Sequence, residues 1–310
     1  MKWAALVACL AAPAVAEEVS APGPAGPLKG AYLQAEDEQA LALIIPGSGP
    51  IDRDGNNTLG MTTNLYRQLA EGLGAQGIST IRIDKRGMFS SAAAVSDAND
   101  VTIGAYAADI RNWVAAHQGA RDCVWLIGHS EGALVAFHTV AHGAENVCGV
   151  VSLAGPGRPL GAILREQLAA SPAMMPELLE VSERIIASLE VGQAVSADQV
   201  PPALAGLFAP GLQRYMVDLF SHDPAALAGK SDLPLLILQG GQDLQITGTD
   251  AAALTAARPD AQRVDFTQLN HMFKPVPHED VATNFATYFD GELPVGQRVV
   301  PQIVQFLTAN

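Results

Sequence analysis

The clearest sign of chemistry in this sequence is the pentapeptide G-H-S-E-G at residues 128–132. One apolar run precedes it and another follows it, so the pentapeptide is predicted to join a strand to a helix. A serine on such a sharp turn projects its hydroxyl clear of the sheet, as a nucleophile must. Gly128 and Gly132 lack the Cβ atoms that would collide where strand and helix meet. Ser130 is therefore the candidate nucleophile.

A serine nucleophile needs a base, and the base needs an acid that orients it. Asp243 and His271 follow the pentapeptide in the order acid then base, and each comes after a predicted strand. Because parallel strands end at one edge of a sheet, both side chains are expected beside Ser130. The rival acid is Asp265, which lies within a predicted strand rather than beyond it. The alternative base is His278.

Attack on a carbonyl creates an oxyanion, which preset backbone N–H groups must stabilise. One donor is expected from Glu131, the residue after the candidate nucleophile. The second is expected from the glycine-rich loop that follows an early predicted strand. Ser48 is our choice in that loop, and Gly47 and Gly49 remain as alternatives.

Metal chemistry finds little support in the sequence. His138 and His142 are four residues apart on a predicted helix and could face one ion, but no third ligand is apparent. The H-E-x-x-H pattern is absent as well. We therefore predict no metal site.

Buried strands and amphipathic helices alternate along the chain, which is typical of an α/β fold with a parallel sheet covered on both faces. The helices are predicted at residues 62–75, 102–116 and 297–307. Residues 158–230 interrupt this alternation because they carry helical patterns and no buried strand. This segment is predicted to be an inserted helical cap over Ser130. The strands are predicted at residues 41–45, 78–83, 123–127, 147–154, 233–238 and 263–266.

Residues 1–16 have the pattern of a secretory signal peptide, with a basic start, an apolar stretch and an A-x-A cleavage signal. The remaining residues 17–310 are expected to form one domain that is periplasmic or secreted. The formal net charge of −14 disfavours binding to nucleic acid or to anionic membranes. No membrane insertion is expected once the signal is cleaved, because no other segment is long and apolar enough to span a bilayer.

Two cysteines follow the predicted signal peptide, Cys123 and Cys148, and each is close to a predicted strand. The two strands are joined by one helix and are expected to be neighbours, at a spacing of about 4.8 Å. Export to an oxidising compartment favours a disulfide. The cysteines stand at different distances from their strand ends, however, so the sequence leaves open both a disulfide and two buried thiols.

Four pieces of sequence in combination carry a family resemblance. The chain resembles secreted esterase-type α/β-hydrolases of the serine aminopeptidase-like group over nearly all of residues 17–310. Met88 and Phe89 depart from the small residues that relatives often carry there. The four pieces are G-S-G-P-x-D-R-D-G-N at 47–56, D-K-R-G at 84–87, G-H-S-E-G at 128–132 and L-A-G-P-G-R at 153–158.

This resemblance implies an α/β-hydrolase fold with an eight-stranded sheet. Together with the pattern of elements, it predicts a mostly parallel sheet with helices on both faces and an inserted helical cap. It also implies hydrolysis of a small-molecule carboxylic ester through an acyl-enzyme intermediate, without a cofactor. Carried over by position, Ser130, Asp243 and His271 would form its catalytic triad. Ser48 and Glu131 would frame its oxyanion hole.

Two other functions remain open at this point. The chain could be a catalytically idle hydrolase-fold protein that binds a small ligand or a partner, or it could be a peptidase of the same fold. A complete set of nucleophile, acid, base and oxyanion loop favours an enzyme. The acyl and alcohol parts of the substrate are not readable from the sequence.

Overall fold

The computed structural model describes residues 16–143, 145–171, 173–276 and 280–310. All but one residue of the predicted signal peptide, residues 1–16, lies outside the described residues. His278, the alternative base, also lies outside them.

One sheet of eight strands forms the centre of the described structure, in the order β1-β2-β4-β3-β5-β6-β7-β8. The pairs β1–β2 and β2–β4 are antiparallel, and all other neighbours are parallel. The predicted α/β class and the mostly parallel eight-stranded sheet are thus confirmed. The strands are β1 Glu17–Ala21, β2 Leu28–Leu33, β3 Ala40–Ile45, β4 Ile78–Ile83, β5 Val124–His129, β6 Val147–Leu153, β7 Leu235–Gly240 and β8 Gln262–Phe266.

The central strands are apolar throughout because both of their faces are covered. Leu43 of β3 belongs to the hydrophobic cluster on one face, and the next residue, Ile44, belongs to the cluster on the other. The same alternation occurs in β5, where Leu126 and Ile127 point to opposite clusters. A strand buried on both sides reads as a continuous apolar run rather than as alternating polar and apolar residues.

Helices cover both faces of the sheet. Residues of α1 and α11 belong to one cluster, and residues of α2, α3, α8 and α9 belong to the other. None of the helices in the described segments is long and apolar enough to cross a membrane. The helices are α1 Leu65–Gly74, α2 Ile103–His117, α3 Glu131–Ala141, α4 Leu160–Ala170, α5 Pro176–Glu190, α6 Ala205–Phe208, α7 Pro210–Phe220, α8 Pro224–Ala228, α9 Gly248–Ala257, α10 Val281–Ala286 and α11 Val299–Ala309.

The segment between β6 and β7 contains helices α4 to α8 and, where it is described, no strand. We call α4 to α7 the helical insertion. Its helices have a hydrophobic cluster of their own, which includes Ile186, Leu189, Phe208 and Met216. The short helix α8 instead contributes Leu227 to the cluster on the sheet. The helices that pack on one another rather than on the sheet therefore end with α7. That residues 158–230 form a mobile cap stays a prediction.

Cys123 and Cys148 form a disulfide, with their Cα atoms 5.2 Å apart. The two cysteines come together where the pairing of β5 with β6 is irregular. Val124 pairs with Val147, whereas Trp125 pairs with Gly149, so that Cys148 is an extra residue on β6. A β-bulge of this kind places two residues opposite one. It brings the two cysteines within the range of Cα separations that a disulfide accepts.

We expect removal of this disulfide to destabilise the protein by about 3 kcal/mol, because it closes a loop of 25 residues in the unfolded chain. The comparison is urea unfolding of the oxidised protein against the variant that combines Cys123→Ala with Cys148→Ala. Alkylation of the denatured, unreduced parent protein should leave both cysteines unlabelled. Two labelled cysteines, or equal free energies of unfolding, would contradict this prediction.

Candidate functional site

Ser130 lies at the turn between β5 and α3 with φ 54° and ψ −123°, outside the regions that residues with a side chain prefer. Its N–H donates to the carbonyl of Leu153 on the neighbouring strand at 2.9 Å, which helps to hold this conformation. A Cβ at Gly128 would lie 2.4 Å from the Gly132 oxygen, and one at Gly132 would lie 2.2 Å from the Ile45 oxygen. The predicted collision between strand and helix is thus confirmed for Gly128, whereas a side chain at Gly132 would collide with the end of β3.

His271 Nδ1 and Asp243 Oδ2 are 2.8 Å apart, and both side chains are almost fully buried. The other carboxylate oxygen of Asp243 accepts hydrogen bonds from the N–H groups of Gln245 at 2.7 Å and Ile246 at 2.9 Å. These backbone donors fix the rotation of the carboxylate. The remaining oxygen of Asp243 is therefore directed at one nitrogen of the His271 ring.

Ser130 and His271 line one cavity, at the carboxyl end of the sheet. Both residues are described, and no hydrogen bond joins the Ser130 hydroxyl to the imidazole. In hydrolases without substrate such contacts are often long and tighten only in the complex. The rival acid, Asp265, is half-exposed and pairs with Arg263 on its own strand. The structure therefore brings Asp243, and not Asp265, to His271.

The loop after β3 lies against the serine turn because β3 and β5 are neighbours in the sheet. The chain leaves β3 toward one edge of the sheet and leaves β5 toward the other, and crevices for ligands form at such switch points. The Gly47 N–H donates to Tyr66 Oη at 2.9 Å and is therefore occupied. Within the described parts of the chain, neither the Ser48 N–H nor the Glu131 N–H has an acceptor. These are the two backbone N–H groups that the sequence predicts as donors to the oxyanion.

A buried ion pair ties the loop after β3 to the serine turn. Lys85 Nζ donates to the Gly47 carbonyl at 2.6 Å and to Glu131 Oε1 at 3.2 Å. Side-chain exposure is only 3% for Lys85 and 1% for Glu131. Losing one partner of such a pair would leave an uncompensated buried charge, which is strongly destabilising. The pair therefore holds the two backbone segments at a fixed separation.

Tyr66 and His129 connect the same loop to the loop of His271. Tyr66 Oη lies 2.9 Å from His129 Nδ1, and His129 Nε2 lies 2.9 Å from the carbonyl oxygen of His271. The rings of His129 and His271 are in contact, with their centroids 4.7 Å apart. The sequence predicts no role for His129, whereas in the structure this residue joins the serine turn to the loop of His271.

The chemistry of these groups fixes where the protons lie. A carbonyl oxygen only accepts, so the His129 proton must be on Nε2. Burial, reinforced by the proximity of His271, lowers the pKa of His129 to about 3, so the ring is neutral and its Nδ1 accepts. Burial raises the pKa of Tyr66 well above its usual value, so its hydroxyl stays protonated and donates. The hydrogen bonds thus run in one direction from Gly47 to the backbone of His271.

The cavity around Ser130 has a volume of about 460 Å³. The helical insertion supplies much of its wall, whereas the polar groups come from loops at the edge of the sheet. An apolar cavity with a few convergent polar groups is typical of a site for a small organic molecule. The lining side chains from the insertion include Leu160, Ile163, Leu164, Leu207, Leu212, Tyr215, Met216, Leu219 and Phe220.

The described histidines outside this cavity form no recognisable metal centre. His138 and His142 stack with their ring centroids 4.2 Å apart, and His222 of the segment after α7 meets His138 edge to face. Across the described residues, no group of three or more His, Cys, Asp or Glu side chains is placed to hold a metal ion.

Tyr66 and Lys85, like His129, have contacts in the site that the sequence did not predict. Tyr66 reads as one more buried position of an amphipathic helix, and only its hydroxyl distinguishes it from the leucines around it. Lys85 belongs to the D-K-R-G motif, which contributes to the family resemblance but does not by itself predict a function for the lysine. A lysine at the end of a buried strand is the signal that could have raised the question, because lysine is almost never buried without a partner.

A curated protein is similar in sequence to this chain. Esterase EstD of Thermotoga maritima is 26% identical over 271 residues, a match that covers 86% of this chain and 61% of EstD. The chain thus spans less than two thirds of the length of that relative.

Solved structures of two esterases share the fold. The esterase Pf2001 of Pyrococcus furiosus aligns with a TM-score of 0.59 at 14% identity, covering 96% of this chain and 91% of that one. An esterase of Thermogutta terrifontis aligns with a TM-score of 0.58 at 18% identity, covering 94% and 98%. Residues 57–274, more than half of the chain, match the family described as serine aminopeptidase, S33. The chain belongs to this family of α/β-hydrolases.

Proposed function

We propose that this protein is a serine hydrolase that cleaves small carboxylic esters through an acyl-enzyme intermediate. The observation that carries the proposal is one cavity that contains both a serine on a strained turn and a histidine hydrogen-bonded to a buried carboxylate. The similarity to EstD, a protein named as an esterase, supports ester hydrolysis in particular. Ser130, Asp243 and His271 are the proposed triad.

In the proposed reaction the Ser130 hydroxyl attacks the ester carbonyl while His271 Nε2 accepts its proton. Asp243 accepts the hydrogen bond of the Nδ1–H group and stabilises the imidazolium that forms. The oxygen of the tetrahedral intermediate takes its hydrogen bonds from the N–H groups of Ser48 and Glu131. The alcohol leaves with the proton from His271. Water then repeats the sequence on the acyl-enzyme, releasing the acid and restoring Ser130.

The helical insertion is proposed to set which substrates fit, since it forms much of the wall of the cavity. We also propose that the protein works in the periplasm or outside the cell after removal of residues 1–16. The disulfide of Cys123 with Cys148 supports this location, because such bonds persist mainly in oxidising compartments.

The proposed function is tested with purified protein and three sets of probes. We expect turnover of p-nitrophenyl esters, labelling of Ser130 by a fluorophosphonate, and far slower release from aminoacyl p-nitroanilides. Faster cleavage of the anilides than of the matching esters would identify a peptidase. Absence of both turnover and labelling would identify an idle hydrolase fold that binds a ligand.

Tyr66→Phe is expected to lower kcat about tenfold with little change in KM. The substitution removes the hydroxyl that accepts from Gly47 and donates to His129, and so loosens the alignment of the oxyanion loop with the base. It also leaves buried polar groups unpaired, which should cost about 1–3 kcal/mol of stability. Steady-state kinetics and urea unfolding measure the two effects.

The matched control is Tyr288→Phe. Tyr288 lines the same cavity and its hydroxyl makes one hydrogen bond, with Gln245, outside the chain of contacts through His129. We expect Tyr288→Phe to change kcat much less than Tyr66→Phe does. Equal losses of kcat in the two variants would refute a specific role for Tyr66.

A further inference from the structure

A second chamber of about 550 Å³ adjoins the cavity of Ser130. Gly49, Leu212 and Tyr215 line both spaces, whereas Ser130 and His271 line only the first. The wall between them thus consists of the oxyanion loop on one side and α7 of the helical insertion on the other. A substrate whose carbonyl meets Ser130 must extend past this wall to enter the second chamber.

The second chamber suits an uncharged group. Its one charged lining residue, Lys85, is already bound to Glu131 and to the Gly47 carbonyl, and no carboxylate is among the lining residues. Aromatic rings line it from three elements: Phe89 after β4, Tyr106 of α2 and Tyr215 of α7. The rings of Tyr106 and Tyr215 meet edge to face with centroids 6.3 Å apart. Such walls favour an apolar or aromatic ligand group.

Phe89 has an unusual backbone in this wall, with φ 45°. For a bulky residue that conformation is a genuine outlier, which persists only where its surroundings hold it. Here the turn is closed on both sides of Phe89. The Met88 N–H donates to the Lys85 carbonyl at 3.1 Å, and the Ser90 N–H donates to Asp84 at 3.3 Å. Glycine or asparagine would adopt this backbone more easily, so the strain points to a use for the ring.

We propose that the second chamber binds an apolar or aromatic group of an extended ester, and that Phe89 determines which groups are accepted. The substrate class is thus an ester with bulk on both sides of the wall, one part in the cavity of Ser130 and the other in the second chamber. Short esters react without reaching Phe89. This inference rests on the proposed ester hydrolysis.

The test is the Phe89→Gly variant, which removes the ring and relaxes the backbone at φ 45° without adding a side chain. Activity is measured on p-nitrophenyl esters from acetate to laurate and on acetate esters from methyl to octyl and benzyl. We expect kcat/KM for the longest members of one series to fall about fivefold or more, as loss of an apolar contact implies. The value for methyl acetate, which is small on both sides of the ester bond, should stay within about twofold.

Thr58→Trp is a second variant, which fills the chamber from its exposed rim and leaves Phe89 in place. It should lower the ratio of long-ester to short-ester kcat/KM as well. Phe285→Ala is the control, because Phe285 is half-exposed and lines neither space. An unchanged or higher ratio in both Phe89→Gly and Thr58→Trp overturns the inference. Loss of p-nitrophenyl acetate hydrolysis by the parent protein would instead overturn the proposed function.

Discussion

The Ser130→Ala variant is expected to lose ester turnover by about 10⁴-fold or more while keeping the parental fold. The expectation follows from the position of the hydroxyl, which stands on the strained turn in the cavity that His271 also lines. Without that oxygen no acyl-enzyme forms, and only the oxyanion donors and the binding cavity are left to assist water. Steady-state rates on the best p-nitrophenyl ester measure the loss, and circular dichroism with thermal unfolding checks the fold.

Ser152→Ala is the matched control for this variant. Ser152 is a fully buried serine of β6, and its hydroxyl has no hydrogen-bond partner within the described structure. Its loss should leave turnover within about threefold of the parent, as for other substitutions that break no interaction. Retention of more than a tenth of the parental rate by Ser130→Ala would show that another group is the nucleophile. Fluorophosphonate labelling of that variant would then locate it.

Most of the strands that the sequence predicted are buried on both sides, and the exception is the edge strand β8. Runs such as the one that ends at Ile45 can only be central strands or buried helices, and the loop residues after them decide between the two. Strands β1 and β2, at one end of the sheet, were not predicted because they lack such runs. Lys29 and Gly30 interrupt β2, and β1 begins with two glutamates. β2 forms its hydrogen bonds with β4, which is distant in sequence, so the local pattern of residues in β2 does not predict this pairing.

The proposed catalytic side chains could be chosen from the sequence because each follows directly after a strand. The topology then places them at one edge, whatever the details of the packing. Tyr66 and Lys85 depend instead on contacts across the fold, with partners as far away as His129 and Glu131. The disulfide could not be predicted for a related reason. It depends on the bulge at Cys148, and a single extra residue in a strand does not change the sequence of apolar residues from which the strand was predicted.

Asp243→Asn is expected to lower turnover by about 10³- to 10⁴-fold with an almost unchanged structure. The amide oxygen of the variant would stay with the N–H groups of Gln245 and Ile246, because those donors need an acceptor. Its NH₂ group would then face His271 Nδ1, which must accept rather than donate. The ring proton is thereby forced onto Nε2, so the nitrogen that should take the proton of Ser130 no longer has a free lone pair.

His271→Ala should be at least as inactive as Asp243→Asn, since it removes the base itself rather than its orientation. The two residues act as a unit, so the double variant should lose little more turnover than His271→Ala alone. Steady-state kinetics of the double variant measure this. Asp265→Asn, at the half-exposed rival acid, is the control and should keep parental activity. If His278→Ala were the inactive variant while His271→Ala kept its turnover, the base would be His278. The contact of His271 with Asp243 would then serve only to hold the two loops together.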